Sequence, residues 1–157
     1  MAKNVFKPQH EHQDCIGEAL SRADSICRLR GVKLTQIRRR VLELIWDSHK
    51  AVKAYQLLDQ LSEGDKRVRP PTIYRALDFL MTHGLVHKVD SLNAYIGCSG
   101  AGKEHNAQFY ICEACGEVSE IAGQELSMVL DKQARKTGFV IQRQMVELHG
   151  RCQQCTN

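Results

Sequence analysis

No stretch of this 157-residue chain is apolar for long enough to cross a membrane. The residues from Met1 to Cys15 hold no apolar core of the kind a secretory leader needs, and the seven cysteines are an odd number. A secreted disulfide scaffold is therefore not expected. The chain has no His-Glu-x-x-His pair, no internal repeat and no low-complexity segment; the first absence removes the usual signature of a zinc hydrolase. Acid is missing locally too. From Arg28 to Leu42 there are six cations (Arg28, Arg30, Lys33, Arg38, Arg39, Arg40) and no carboxylate, and from Lys66 to Arg75 four cations and again none. The overall charge of +4 thus hides a division. Residues 1–92 carry 16 Lys+Arg against 11 Asp+Glu, a balance of +5, and residues 93–157 carry 6 against 7, a balance of −1. A basic front half beside a neutral back half suits a phosphate-binding module joined to something else. Length and composition (43% hydrophobic, 25% charged) fit one ordinary soluble domain or two small ones.

What the chain does have is two Cys-x-x-Cys pairs, Cys112-Glu-Ala-Cys115 and Cys152-Gln-Gln-Cys155. A two-residue spacer lets both sulfurs of a pair turn toward one ion. Two pairs fill the four tetrahedral positions of a closed structural zinc site and leave none for water. The 36 residues between the pairs exceed the spacing of a single small ribbon, so a sub-domain is expected to fold between them. Gly116 suits the tight knuckle after the first pair. The competing readings are two disulfides, disfavoured by the odd cysteine count, and a redox dithiol, which normally comes singly on a βα unit.

The hydrophobic spacing predicts a helix from about Glu11 to Arg30, with Ile16, Leu20, Ala23 and Cys27 on one stripe and Gly31 ending it. Thr35 can cap a second helix with Ile37, Val41, Leu44 and Ile45 inward and Arg38, Arg39 and Arg40 largely outside. A third runs from about Ala54 to Ser62 on Tyr55, Leu57, Leu58 and Leu61. Pro70-Pro71-Thr72 opens a fourth, buried on Ile73, Ala76, Leu77 and Leu80 and ended by Gly84. Thr72, Tyr74 and Arg75 lie near its start, off the apolar stripe, where a recognition helix in a major groove reads bases. Arginine suits the paired acceptors of guanine or a phosphate, and a tyrosine ring suits a thymine methyl. The candidate DNA contacts are thus Thr72, Tyr74 and Arg75, together with Tyr55, Lys33 and Arg38. Leu85–Val89 and Ala94–Cys98 alternate around Asp90–Asn93 and read as a two-stranded hairpin, the wing of a winged helix. Many small helical domains share such helices without touching DNA; the basic lead-in and the hairpin are what favour the DNA reading.

Ser99-Gly100-Ala101-Gly102 is a flexible break. Beyond it, Gln108–Cys112 and Glu117–Ile121 are expected as strands flanking the first knuckle. Gln124–Thr137 reads as a helix with Leu126, Val129, Leu130 and Ala134 inward, closed by Gly138, and Phe139–Leu148 as a third strand. The expected class is α+β. A winged helix-turn-helix domain spans 1–98, with 1–12 flexible, a hinge spans 99–107, and a small zinc-stabilised α/β domain spans 108–157.

Leu34-Thr35-Gln36-Ile37-Arg38, the run Pro70-Pro71-Thr72-Ile73-Tyr74-Arg75-Ala76-Leu77-Asp78-Phe79-Leu80, Cys-x-x-Cys-Gly and the terminal Cys-x-x-Cys resemble, in that order, the ferric uptake regulator family. The resemblance runs from about residue 14 to the end. Ala54-Tyr55, Asp78–Val89 and Asn93-Ala-Tyr-Ile-x-Cys98 look most like its zinc-uptake branch. The resemblance implies a cytoplasmic bacterial homodimer that binds a palindromic operator in double-stranded DNA, dimerises through its C-terminal domains, and uses neither membrane nor small organic substrate. It also implies a metal-dependent repressor of zinc-uptake genes, not an enzyme, with two zinc ions per monomer. The second, regulatory zinc would be held by His87, Cys98, His105 and Glu120. Imidazole, thiolate and carboxylate together suit zinc, and the soft sulfur disfavours a hard cation or an ordinary iron site. The His-His-x-His-type run that many family members carry is reduced to Glu104-His105-Asn106, which weakens a further regulatory site and an iron or peroxide signal. His149 reads as a structural strand-end histidine, His10, His12 and Cys15 as part of a polar terminus, and Cys27 as core. Three alternatives stay open: the same machine tuned to iron, nickel, manganese or peroxide; a zinc hydrolase on His87, Cys98 and His105; and a structural zinc ribbon with one zinc and no metal response.

Overall fold

In a computed structural model the chain is described at residues 12–48, 50–62, 68–103 and 105–156. The expected flexible start, His10, and the lead-in residues Lys66 and Arg67 lie outside the described residues, as does the side chain of His12. The chain divides into two compact units between Gly102 and Lys103, inside the expected hinge.

The first unit holds four helices and a hairpin: α1 (His12–Leu29), α2 (Gln36–Trp46), α3 (Ala54–Leu61), α4 (Pro70–Thr82), β1 (Val86–Val89) and β2 (Ala94–Gly97). Its core follows the predicted stripes in part: Ile16, Leu20, Ile37 and Leu44, expected inward, are only half-buried, and Ile26 and Leu42, off those stripes, are buried. Ala23 and Cys27 of α1, Val41, Leu42 and Ile45 of α2, Leu57 of α3, and Ile73, Ala76, Leu77 and Leu80 of α4 meet in one buried cluster. Gly31 and Gly84 end α1 and α4 at φ +64° and +66°, a conformation that costs a side chain about 1 kcal/mol or more. Thr35 stands at the N-cap of α2 in extended backbone, but its hydroxyl makes no capping bond. Tyr55 departs from the expected stripe of α3: it is exposed, and Leu57 alone on that helix is buried.

β1 and β2 pair antiparallel, with Val86 opposite Gly97 and His87 opposite Ile96. A 3-10 turn at Asp90–Leu92 and Asn93 in the left-handed region (φ 46°) join them. An isolated bridge between Val52 and Tyr95 ties the hairpin to the segment before α3. Gly97 leaves no room for a side chain: a Cβ there would overlap the indole of Trp46.

The second unit holds β3 (Ala107–Cys112), β4 (Val118–Ala122), α5 (Gln124–Lys136), β5 (Val146–Gly150) and α6 (Gln153–Thr156). The sheet order is β4-β3-β5, with β3 antiparallel to β4 and parallel to β5. A parallel neighbour needs a crossover, which α5 supplies. Phe109, Ile111, Cys112, Val118 and Cys152 form its buried interior.

Two expectations for this unit are corrected. The strand expected over Phe139–Leu148 begins only at Val146, and Phe139 and Val140 are 64% and 79% exposed. On α5, Leu126 and Val129, expected inward, are 36% and 54% exposed, and no described residue of that helix is buried. Periodicity identifies an apolar face without saying what covers it. Among the described residues the cover is partial: Leu130 and Ala134, also expected inward, are half-buried. The chain is α+β, with a helical first unit and a small-sheet second unit.

Candidate metal centres and nucleic-acid face

The β3–β4 turn is a knuckle built by backbone. The N–H of Cys112 donates to the Glu117 carbonyl at 2.9 Å and that of Gly116 to the Cys112 carbonyl at 2.8 Å, with Gly116 at φ +75°. This turns Cys112 and Cys115 to one side. α6 does the same for the terminal pair, Cys155 N–H donating to the Cys152 carbonyl at 3.0 Å. The four sulfurs lie within 4.8 Å of one another, with Cys115 and Cys152 at 3.9 Å, and all are thiols. Tetrahedral Zn–S bonds of about 2.3 Å place sulfurs about 3.8 Å apart. The donor set and its spacing fit zinc. Electrostatics agree. The Cys152 N–H, at 3.3 Å from Cys112 Sγ, and that of Cys115 hold the Cys112 thiol down at about 6. Cys155, hydrogen-bonded to Cys152 and partly desolvated, is pushed up to about 12. Four thiols sharing so small a space ionise one after another unless a cation compensates them.

The other four candidate ligands fall into two pairs, one in each unit. In the first unit His87 of β1 is half-buried and Cys98, just past β2, is 1% exposed. The Cys98 N–H donates to the Leu85 carbonyl at 3.0 Å, and the ligand atoms of His87 and Cys98 lie within 4.8 Å of each other. In the second unit His105 Nε2 meets Glu120 Oε1 at 2.6 Å, and the Glu120 carboxylate is only 5% exposed on β4. His105 Nδ1 lies 2.8 Å from the Lys103 carbonyl. A carbonyl can only accept, so that bond keeps the Nδ1 proton and turns Nε2 toward Glu120. Burial opposes protonation of His105, but the bonds to Lys103 and Glu120 outweigh it and raise its pKa above the ordinary value. His149 is within 3.7 Å of Glu113 at the edge of the sheet, and Cys27 is core, its thiol pushed up by burial.

At the N-terminal end of α4, Thr72, Tyr74 and Arg75 are all exposed, Tyr74 at 53%. Proline in the first two positions starts this helix, and its apolar stripe occupies the opposite side. Tyr55 is 60% exposed. Lys33 is exposed, and Arg38 is half-buried. Its guanidinium carbon sits 3.5 Å above the centroid of Phe79, and its Nη1 donates to the Lys33 carbonyl at 2.7 Å. Two neighbouring cations are engaged by acids: Arg39 by Asp24 at 2.6 Å and Arg40 by Glu43 at 2.9 Å. The contact with Phe79 is not legible in the sequence. The aromatic side chain is visible there, but nothing shows which side chain from another helix lies on it. Among the described residues no helix is long and apolar enough to cross a membrane.

Comparison with known proteins converges on one group. Residues 29–149 match the model of the ferric uptake regulator family. The chain is 40% identical over 139 residues, 88% of its own length and 81% of the relative's, to the zinc uptake regulation protein of Escherichia coli strain K12. A solved zinc uptake regulator complexed with zinc and DNA superposes with a TM-score of 0.84 at 38% identity, covering 94% of this chain and 97% of that one. A structure described as holo XcZur does so at 0.81 and 41% identity, covering 88% and 97%.

Proposed function

Because the chain belongs to the ferric uptake regulator family, we propose that it is a zinc-responsive transcriptional repressor, not an enzyme. In this reading it works in the cytoplasm as a homodimer, binds a palindromic operator in double-stranded DNA when zinc suffices, and represses zinc-uptake genes. The observation that carries the reading is the donor chemistry: a four-sulfur cluster of zinc dimensions, plus a His87–Cys98 pair and a His105–Glu120 pair on the two units. The likeness to a zinc uptake regulator complexed with zinc and DNA supports it.

The division of labour is two zinc ions per monomer. Cys112, Cys115, Cys152 and Cys155 hold a permanent one that completes the small core of the second unit. His87, Cys98, His105 and Glu120 hold a sensory one. Zinc moves a conformational equilibrium only as far as its affinities for the two shapes differ. Ligands contributed by both units, on either side of Gly102, provide such a difference. Dimerisation belongs to the second unit (108–157 in the sequence division), where the uncovered apolar residues of α5 and of the segment after it require a partner surface. Two α4 helices in a dimer then address successive major-groove faces, with Thr72, Tyr74 and Arg75 at the bases and Tyr55, Lys33 and Arg38 beside them.

The deciding experiment is DNA binding by wild type and Cys98→Ser, with and without added zinc. The reading requires zinc-dependent binding in wild type and its loss in a variant that remains a folded dimer. Zinc-independent binding by both proteins would refute it and leave another signal to be sought.

A further inference from the structure

The C-terminal end of α4 and its cap residue His83 carry an aromatic pair that the recognition reading leaves unused. Phe79 and His83, one turn apart, have ring centroids 4.3 Å apart at 53°. On one side the Arg38 guanidinium lies over Phe79, anchored by its bond to the Lys33 carbonyl. On the other, Arg30 Nη1 reaches His83 Nδ1 at 3.3 Å. A guanidinium can only donate, so this nitrogen of His83 is the acceptor and the ring is neutral. Burial, then the positive charges of Arg30 and Arg38, lower the His83 pKa, in agreement. The four side chains thus run Arg30–His83–Phe79–Arg38 and link the acid-free segment 28–42 to the reading helix. Among the described residues neither arginine of this row meets a carboxylate, whereas Arg39 and Arg40 each do. An aromatic face and a backbone carbonyl fix a guanidinium's position without neutralising its charge. That is what binding a phosphate needs.

We propose that Phe79 and His83 are positioning residues that hold Arg38 and Arg30 as a pair of backbone-phosphate clamps beside α4, setting its register on the duplex. Arg30 thereby joins the DNA-contacting set. The proposal rests on the DNA-binding reading above and goes beyond it by assigning roles to three residues which that reading leaves out. It concerns the sequence-independent part of binding, since phosphate contacts position a protein and base contacts specify.

The test uses the full-length zinc-loaded protein and two duplexes, one selected by that protein from a randomised pool and one of mixed sequence. Affinity is followed across a salt series. Removing one phosphate clamp should lower the slope of log K against log salt by about 0.9. Arg38→Gln and Arg30→Gln should each do so on both duplexes, with the ratio between the duplexes unchanged. Phe79→Leu removes no charge, yet should weaken both duplexes by about two- to five-fold and lower the slope, and Phe79→Tyr should restore both. His83→Leu should act on Arg30 in the same way. In the double variant Arg38→Gln/Phe79→Leu, the loss due to Phe79→Leu should disappear. Should Phe79→Leu fail to fold, Phe79→Met and the Tyr variant carry the comparison. Arginine variants with lowered slopes beside aromatic variants with wild-type slopes would overturn the positioning role and leave the DNA reading standing. Unchanged slopes in the arginine variants would overturn the clamps. A wild-type protein that binds neither duplex would remove the parent reading and this one with it.

Discussion

In the proposed function, Cys98 is the residue on which sensing turns. It is a soft donor at the end of β2, buried and fixed by its own N–H to the Leu85 carbonyl. Serine keeps the size but not the thiolate, so Cys98→Ser should retain the fold and lose zinc-responsive DNA binding. Arg75 is a separate matter. It is exposed on α4 and belongs to no metal set among the described residues, so Arg75→Ala should weaken operator binding by about 1–3 kcal/mol at unchanged zinc content, checked by titration and elemental analysis. Zinc loss in that variant would mean a structural role that its exposure gives no sign of. At this scale the sequence is informative because ligand types and spacings are local. The Cys-x-x-Cys pairs specify their own geometry. His105 and Glu120 are fifteen residues apart, and only the register that sets Glu120 opposite Phe109 brings them together. Family likeness suggests that pair; residue spacing alone does not.

At the scale of elements, the stripes of α1, α2 and α4 are legible because a helix period repeats within one segment, and Cys27 falls where its stripe places it. Packing between segments is not legible. Gly97 looks like any strand glycine in the sequence, yet it gives the Trp46 indole its place against the hairpin. Gly97→Ala should cost about 1–3 kcal/mol through overpacking, read as a lower urea midpoint by the fluorescence of Trp46, the single tryptophan. His83 gives the same unit a pH dependence. It is flanked by Arg30 of the segment after α1 and Arg38 of α2, and its folded pKa is lowered by burial first and by those two charges next. The unfolded chain therefore takes up this proton first, near 6.5. Its contribution to stability is complete above that value and is lost as pH falls through the folded pKa. The urea midpoint reported by Trp46 should drop on acidification below about pH 6.5, and His83→Gln should flatten that part of the curve. An identical curve in the variant would contradict the assignment.

For the whole molecule, the uncovered apolar surface of the second unit matters most. Leu126, Met128, Val129, Phe139 and Val140 are all exposed in one chain. The inward reading of α5 fails here because an amphipathic pattern is blind to whether its cover is the same chain or another copy. The dimer interface proposed above would cover it, and Val129→Glu should then shift the protein toward monomer in sedimentation while the four-cysteine zinc stays bound. With so small an interior, this unit should depend for its stability on the structural zinc proposed for its four cysteines. The proposed function gives two zinc ions different duties. The most direct test is zinc per monomer by elemental analysis, before and after mild chelation, in wild type and Cys98→Ser. Wild type should hold two, one of them removed by the chelator and missing from the variant. A single tightly held zinc in both proteins would contradict it, leaving the cysteine knuckles intact and the sensory site without a metal.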